Sequence, residues 1–137
     1  MKSLEPTKLA YIANLLDTEG NISIGRSRKD NDRPWSYRTK CSIGSNNKKL
    51  IQSLLNMTGI GGISMSTVNR GKAFWYLKVP EMRDFLEAIK PYLVLKKKQA
   101  DIALKFLNHH KKGEYFTEEE RKERFEMYIK ILDLNRS

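Results

Sequence analysis

The chain carries one cysteine, Cys41, so an internal disulfide is excluded and the redox compartment cannot be read from sulfur. No apolar run approaches ~20 residues, so no membrane-spanning helix is expected. The opening residues, Met-Lys-Ser-Leu-Glu-Pro, lack the apolar stretch of a secretion signal, and the protein is expected to stay inside the cell. Histidine is confined to the adjacent pair His109 and His110, beside Lys111, Lys112 and Gly113 in a predicted loop, a poor geometry for holding a metal. Acidic residues are outnumbered, 16 against 26 basic ones, which leaves a formal charge of +10 on 137 residues. That excess points to a polyanionic partner, nucleic acid first. The length suffices for one domain with a real core.

What is present is organised around residues 9–24. Leu9, Ile12, Ala13 and Leu16 recur at helical spacing on one face, while Tyr11 and Leu15 make the opposite side apolar as well. A helix apolar on two sides must be covered on two sides, and a chain this small covers only one with its own core. The helix starts near Pro6, whose missing N–H costs nothing in a first turn, and runs to about Asp17 before Gly20. Residues 21–28 then read as a strand with Ile22 and Ile24 on one face. A polar loop over 28–34 leads to a second strand over 35–45, with Trp35, Tyr37, Thr39, Cys41 and Ile43 on one face.

A second helix opens at Ser45-Asn46-Asn47, buries Leu50, Ile51, Leu54 and Leu55, and stops at Gly59. Strands over 63–68 and 73–79 flank a turn at 69–72. Pro80 opens a third helix and Pro91 ends it; a fourth spans about 96–108. Thr117 and Glu120 match a capping box that starts a last helix with an apolar stripe of Phe125, Tyr128, Ile129 and Leu132. The order α-β-β-α-β-β-α-α-α predicts a single α+β domain: a core over about 7–108, one four-stranded antiparallel sheet with helices on one face, and a C-terminal helical extension over about 114–135.

The other sheet face is then left with Ser23, Ser27, Ser36, Arg38, Lys40, Ser42, Tyr76 and Lys78. Arg26, Arg28, Lys29, Arg33, Arg70 and Lys72 gather near the hairpin ends. Hydroxyls, lysines and arginines bind phosphates and base edges, and a two-stranded ribbon fits the major groove of B-DNA. The set contains no Asp or Glu; Asp30 and Asp32, in the hairpin loop, count against it. A solvated sheet face is the bland alternative. Trp35 and Trp75 are expected to pack rather than to stack on bases, and Cys41 to act as a small buried hydrophobe.

Glu19 follows a helix C-terminal end, which already carries partial negative charge, so a divalent cation would relieve the site. Mg²⁺ takes one or two carboxylates plus waters and phosphate oxygens. Lys96, Lys97 and Lys98 crowd the predicted start of a helix, where cations are unfavourable unless they face an anion.

Ile12-Ala13-Asn14-Leu15-Leu16-Asp17-Thr18-Glu19-Gly20 resembles the nine-residue signature of the LAGLIDADG homing endonucleases. Pro91-Tyr92-Leu93-Val94-Leu95-Lys96-Lys97-Lys98-Gln99-Ala100 is similar to the segment that carries that family's active-site lysine, which falls on Lys96. The resemblance implies a homodimer with the two motif helices side by side, contacting through Leu9, Ile12, Ala13, Leu16 and Asp17. It implies a saddle-shaped sheet reading half of a long pseudo-palindromic DNA site. It further implies Mg²⁺, or another divalent cation such as Mn²⁺, on Glu19 and the Thr18 carbonyl. Lys96 would stabilise charge or activate water, and Asp17 would hydrogen-bond near the helix end. Ser45 and a basic residue, Lys48 or Lys49, would organise water, and Lys98 would reach DNA. Two departures are Asn14, where the family usually has glycine, and Ser45, where it tends to have glutamine or another polar residue. The fold also serves intron-RNA maturases and DNA-binding regulators that no longer cut.

Overall fold

A computed structural model describes residues 1–68, 70–109 and 116–136. Its elements are α1 (Pro6–Glu19), β1 (Gly20–Ser27), β2 (Ser36–Ser45), α2 (Lys48–Thr58), β3 (Gly62–Met65), β4 (Ala73–Tyr76), α3 (Val79–Ile89), a 3-10 turn (Lys90–Tyr92), α4 (Lys97–Asn108) and α5 (Glu118–Arg136). The strands form one antiparallel sheet in the order β1-β2-β4-β3. The α+β architecture and element order match the expectation from the sequence.

Alternation along the strands decides which face is covered. Ile22, Ile24, Thr39, Cys41, Ile43, Ala73 and Trp75 turn to the helices and are buried. Burial pushes the Cys41 thiol up to about 12. Trp75 contributes its whole ring to the core and still satisfies its indole N–H, which donates to the Ile60 carbonyl at 3.0 Å. Asn47 starts α2 by accepting from the Leu50 N–H, and Gly59, at φ +69°, ends it in the left-handed region where a side chain is strained. Glu81 ties two elements: one carboxylate oxygen accepts from the Lys78 N–H at the start of α3, the other from the Gly61 N–H before β3.

Several boundaries differ from the sequence reading. α1 runs two residues further and takes Glu19 into its last turn. Gly20 leaves the helix in extended backbone; it is needed for space, because a Cβ there would sit 2.5 Å from the Leu16 carbonyl oxygen. β3 stops at Met65, and the Ser66 N–H to Lys72 carbonyl bond closes the hairpin; Asn69 lies outside the described residues. β4 ends at Tyr76 and Val79 is already helical, so Lys78 caps a helix instead of lying in a strand.

The last helix begins as expected, with the Thr117 N–H donating to Glu120 and the Glu120 N–H donating to the Thr117 hydroxyl. Its buried side is not the expected one. Arg124 and Ile131 are buried, with Met127, Tyr128 and Leu134 packed behind them, whereas Phe125 and Ile129 are exposed. The Arg124 guanidinium lies 4.1 Å from the ring centroids of both Phe106 and Phe116, and this sandwich sets the rotation of α5. His110 and residues 111–115, including the start expected for the extension, lie outside the described residues.

Candidate active site and nucleic-acid interface

The end of α1 is fastened to the segment before α4 by one side chain. Asp17 is buried, and its carboxylate accepts three backbone N–H groups: Val94 at 2.8 Å on one oxygen, Leu95 at 3.1 Å and Lys96 at 2.9 Å on the other. The Lys96 ammonium closes the loop by donating to the Asp17 backbone carbonyl at 2.7 Å. That carbonyl is among the last of α1, which have no partner within the helix, so a cation is favoured there. Lys96 precedes α4 as its N-cap. The helix end and the lysine thus form one rigid unit, with Glu19 two residues beyond Asp17.

Glu19 is exposed, and among the described residues its carboxylate takes no hydrogen bond or ion pair. Thr18 is exposed beside it and donates its hydroxyl back to the Asn14 carbonyl. A cavity of about 960 Å³ opens beside this unit, lined in part by Gly20, Asn21, Lys96, Lys97 and Lys98. Ser45 ends β2, two residues past the Gly20–Ile43 pair, and its hydroxyl accepts from the Asn47 N–H at 3.0 Å. It therefore shapes the turn into α2, where Lys48 is the first, exposed residue. No hydrogen bond or ion pair among the described residues joins Ser45 or Lys48 to Glu19 or Lys96.

The uncovered sheet face brings together Ser23, Ser27, Ser36, Arg38, Lys40, Ser42 and Tyr76. Cross-strand pairs put Ser23 beside Lys40 and Ser42 beside Tyr76. Lys29, Arg33, Arg70 and Lys72 lie beyond the strand ends, where Arg33 pairs with Asp30 at 3.6 Å. Arg26 and Arg28 belong elsewhere. Arg26 falls on the parity of Ile22 and Ile24, hence on the helix side, and Arg28 follows the end of β1. Each guanidinium lies 4.2 Å from the Trp35 ring centroid, and Arg26 also covers Tyr128 of α5. Trp35 accordingly packs at the sheet edge.

Two aromatics on the open face had not been paired with their glycines. A Cβ at Gly44 would come within 2.5 Å of the Phe74 ring, and one at Gly62 within 2.7 Å of the Tyr76 ring. The absent side chains leave room for both rings over the neighbouring strand. The signal was in the sequence, as glycines in strand registers, but it needed the pairing to be known.

α1 also corrects an assignment. Ile12, Ala13 and Leu16 are fully buried in the chain's own core, Asp17 is buried by its loop, and Leu9 is partly buried against the core. The first three, having no exposed surface, cannot meet a second copy. The free stripe is instead Thr7, Ala10, Tyr11, Asn14 and Thr18, which carries no charge. At its rim the Asp17-bound loop holds Val94 and Leu95 with 81% and 67% of their surface exposed.

The LAGLIDADG endonuclease family pattern matches residues 12–110. The chain belongs to that family. Solved structures agree in fold. The homing endonuclease I-CvuI in complex with its target superposes with a TM-score of 0.81 at 20% identity, covering 93% of this chain and 82% of that one. The archaeal intron-encoded homing endonuclease I-Vdi141I, complexed with DNA, gives 0.83 at 18% identity, covering 96% and 86%. The homing endonuclease I-TnaI gives 0.74 at 16% identity, covering 98% and 96%. No curated protein matches the chain.

For a LAGLIDADG domain, the end of α1 fits a divalent cation on chemical grounds. Glu19 and the backbone carbonyls of the last helical turn are hard oxygen donors at a helix end that carries partial negative charge. No three His, Cys, Asp or Glu side chains converge among the described residues, so a single chain offers one carboxylate and leaves the remaining positions to water, phosphate or a second chain. Such a donor set suits Mg²⁺, which keeps most of its waters, and does not suit Zn²⁺. Among the described residues, no helix is long and apolar enough to cross a membrane.

Proposed function

We propose that this LAGLIDADG protein is a site-specific double-strand DNA endonuclease that acts as a homodimer and requires a divalent cation. The observation that carries the reading is the rigid coupling of Lys96 to the end of α1, two residues from Glu19, at the border of an acid-free basic sheet face. The sheet positions the duplex: Arg38, Lys40 and the serines bind phosphates and base edges. Glu19 and the Thr18 carbonyl would hold the cation. When bound, the cation supplies Lewis-acid stabilisation of the charge that develops at the scissile phosphate. Lys96 would stand beside the same phosphate, and its second role is to hold the helix end through the Asp17 carbonyl.

The uncharged stripe of α1 is the surface for the second copy. In a chain with 31% charged residues, an exposed helix face without charge sets this stripe apart, and a two-fold related copy of itself covers it. Asn14 sits mid-stripe, where its amide can bond its counterpart across the axis. Val94 and Leu95 extend the surface beyond the helix.

The test is selection of cleaved sites from a random DNA pool with Mg²⁺, followed by comparison with Glu19→Gln. The wild type should yield a pseudo-palindromic site. The variant should bind that site with unchanged affinity and leave it intact, and sedimentation should show two chains per duplex. Cleavage by Glu19→Gln, or a monomer bound to DNA, contradicts the proposal.

A further inference from the structure

The C-terminal helix ends against the two segments that carry the site. Asn135, the penultimate residue of α5, donates from its amide nitrogen to the Ile22 carbonyl at 3.0 Å. Its amide oxygen accepts from the Gln99 side chain at 3.2 Å. Ile22 lies in β1, three residues past Glu19. Gln99 lies in the first turn of α4, three residues past Lys96. One amide therefore bridges the strand that leaves Glu19 and the helix that follows Lys96.

The two groups that the exposed Asn135 side chain joins have little freedom themselves. β1 is an edge strand, so alternate carbonyls on its outer side have no ladder partner, and Asn135 takes the one at Ile22. Gln99 is only 7% exposed, which gives its amide few alternatives. A side-chain amide both donates and accepts, and the position uses both. An aspartate of the same shape would still accept from Gln99 but would face the Ile22 carbonyl with no proton to give. Gln99, Asn135 and Leu134 line the same cavity as Asp17, Gly20 and Lys96.

We propose that Asn135 is a positioning residue that sets the spacing between Glu19 and Lys96, making α5 part of the cleavage site; this rests on the nuclease reading of those two residues. Asp17 fixes the helix end to the loop before α4. Asn135 fixes the continuation of each on the far side, so the pair is clamped from two directions. With its amide engaged at both ends, Asn135 acts through backbone placement.

Two readouts on the intact protein test this with Asn135→Asp and Asn135→Leu, the second keeping the shape without adding charge. Amide hydrogen exchange should quicken in both variants over residues 20–24 and 96–100, with α2 unchanged. Single-turnover cleavage at saturating protein should fall between about 10- and 100-fold, as for a modest misplacement of reacting groups, with DNA affinity and melting temperature near wild type. Unchanged exchange in these segments overturns the proposal. So does a wild-type cleavage rate, or a loss of cleavage matched by an equal loss of binding. A wild type that cuts no site refutes the nuclease reading, and the exchange experiment then decides the clamp by itself.

Discussion

Replacing Asp17 by asparagine changes one atom and tests the unit on which the site depends. Asparagine can keep its oxygen toward Leu95 and Lys96, which share one carboxylate oxygen, but must then turn its NH₂ toward the Val94 N–H now 2.8 Å away. One hydrogen bond becomes a contact between two donors, at about 1–3 kcal/mol. The lower end applies, because Val94 is exposed and its N–H can find water. The two surviving bonds drop from charge-assisted to neutral, about 1 kcal/mol each. The sum is about 3 kcal/mol. That is well short of the 5–15 kcal/mol that holds a domain folded, and it lowers Tm by roughly 10 °C for a chain of this length. Urea denaturation followed by circular dichroism measures it, and the cleavage rate should fall alongside because the loop also places Lys96. A loss below about 0.5 kcal/mol would refute the claim that this carboxylate organises the loop, since that is the range of ordinary surface substitutions.

Other consequences are open to measurement. Lys96→Met should slow single-turnover cleavage by at least about 100-fold, the scale of losing one electrostatic stabiliser, with little change in DNA affinity; a wild-type rate removes Lys96 from the chemistry. Cys41 should resist thiol reagents at pH 8 in the native protein and react at once in denaturant, because burial holds its pKa at about 12. The raised value means that the folded state keeps its proton longer than the unfolded one. Stability should therefore fall as pH climbs from the ordinary thiol value of about 8.5 toward 12, and a Cys41→Ala variant should lose that dependence. Burial lowers the pKa of Arg124, offset in part by Tyr37 and Glu120. Arg124→Met should stay within about 1 kcal/mol of wild type or gain stability, whereas Arg124→Ala, which empties the space between two rings, should cost about 2–4 kcal/mol; thermal melts of the pair separate packing from charge.

Element order and strand facing were legible because alternation and helical spacing record burial directly, as in Ile22 and Ile24 or Met82, Phe85, Leu86 and Ile89. The choice between the two apolar sides of α1 was not. Leu9, Ile12, Ala13 and Leu16 on one side and Tyr11 and Leu15 on the other satisfy the same periodicity, and only packing against the sheet decides which side is core. α5 was misread because an arginine was not counted as a residue that could be buried, although two phenylalanine rings make it one. Arg26 and Arg28 were grouped with the basic residues near the hairpin ends by their charge; the parity of Arg26 already put it on the helix side, while the stacking of both on Trp35 had no signature in the spacing. The Asp17 contacts to Val94, Leu95 and Lys96 had no local signature, since the partners stand 77 to 79 positions apart.

Those separations have a bearing on safety. Asp17 meets Lys96 across 79 positions, and Ile22 meets Asn135 across 113. Both contacts close long loops, and such closures draw on chain entropy that local helices and hairpins do not. A chain still emerging from the ribosome holds Glu19 early but cannot make the Asn135 contacts to Ile22 and Gln99 until α5 has been synthesised. A fragment ending before α5 has half of the clamp. Under the nuclease reading proposed above, a chain without α5 in place does not yet hold a complete cutting site.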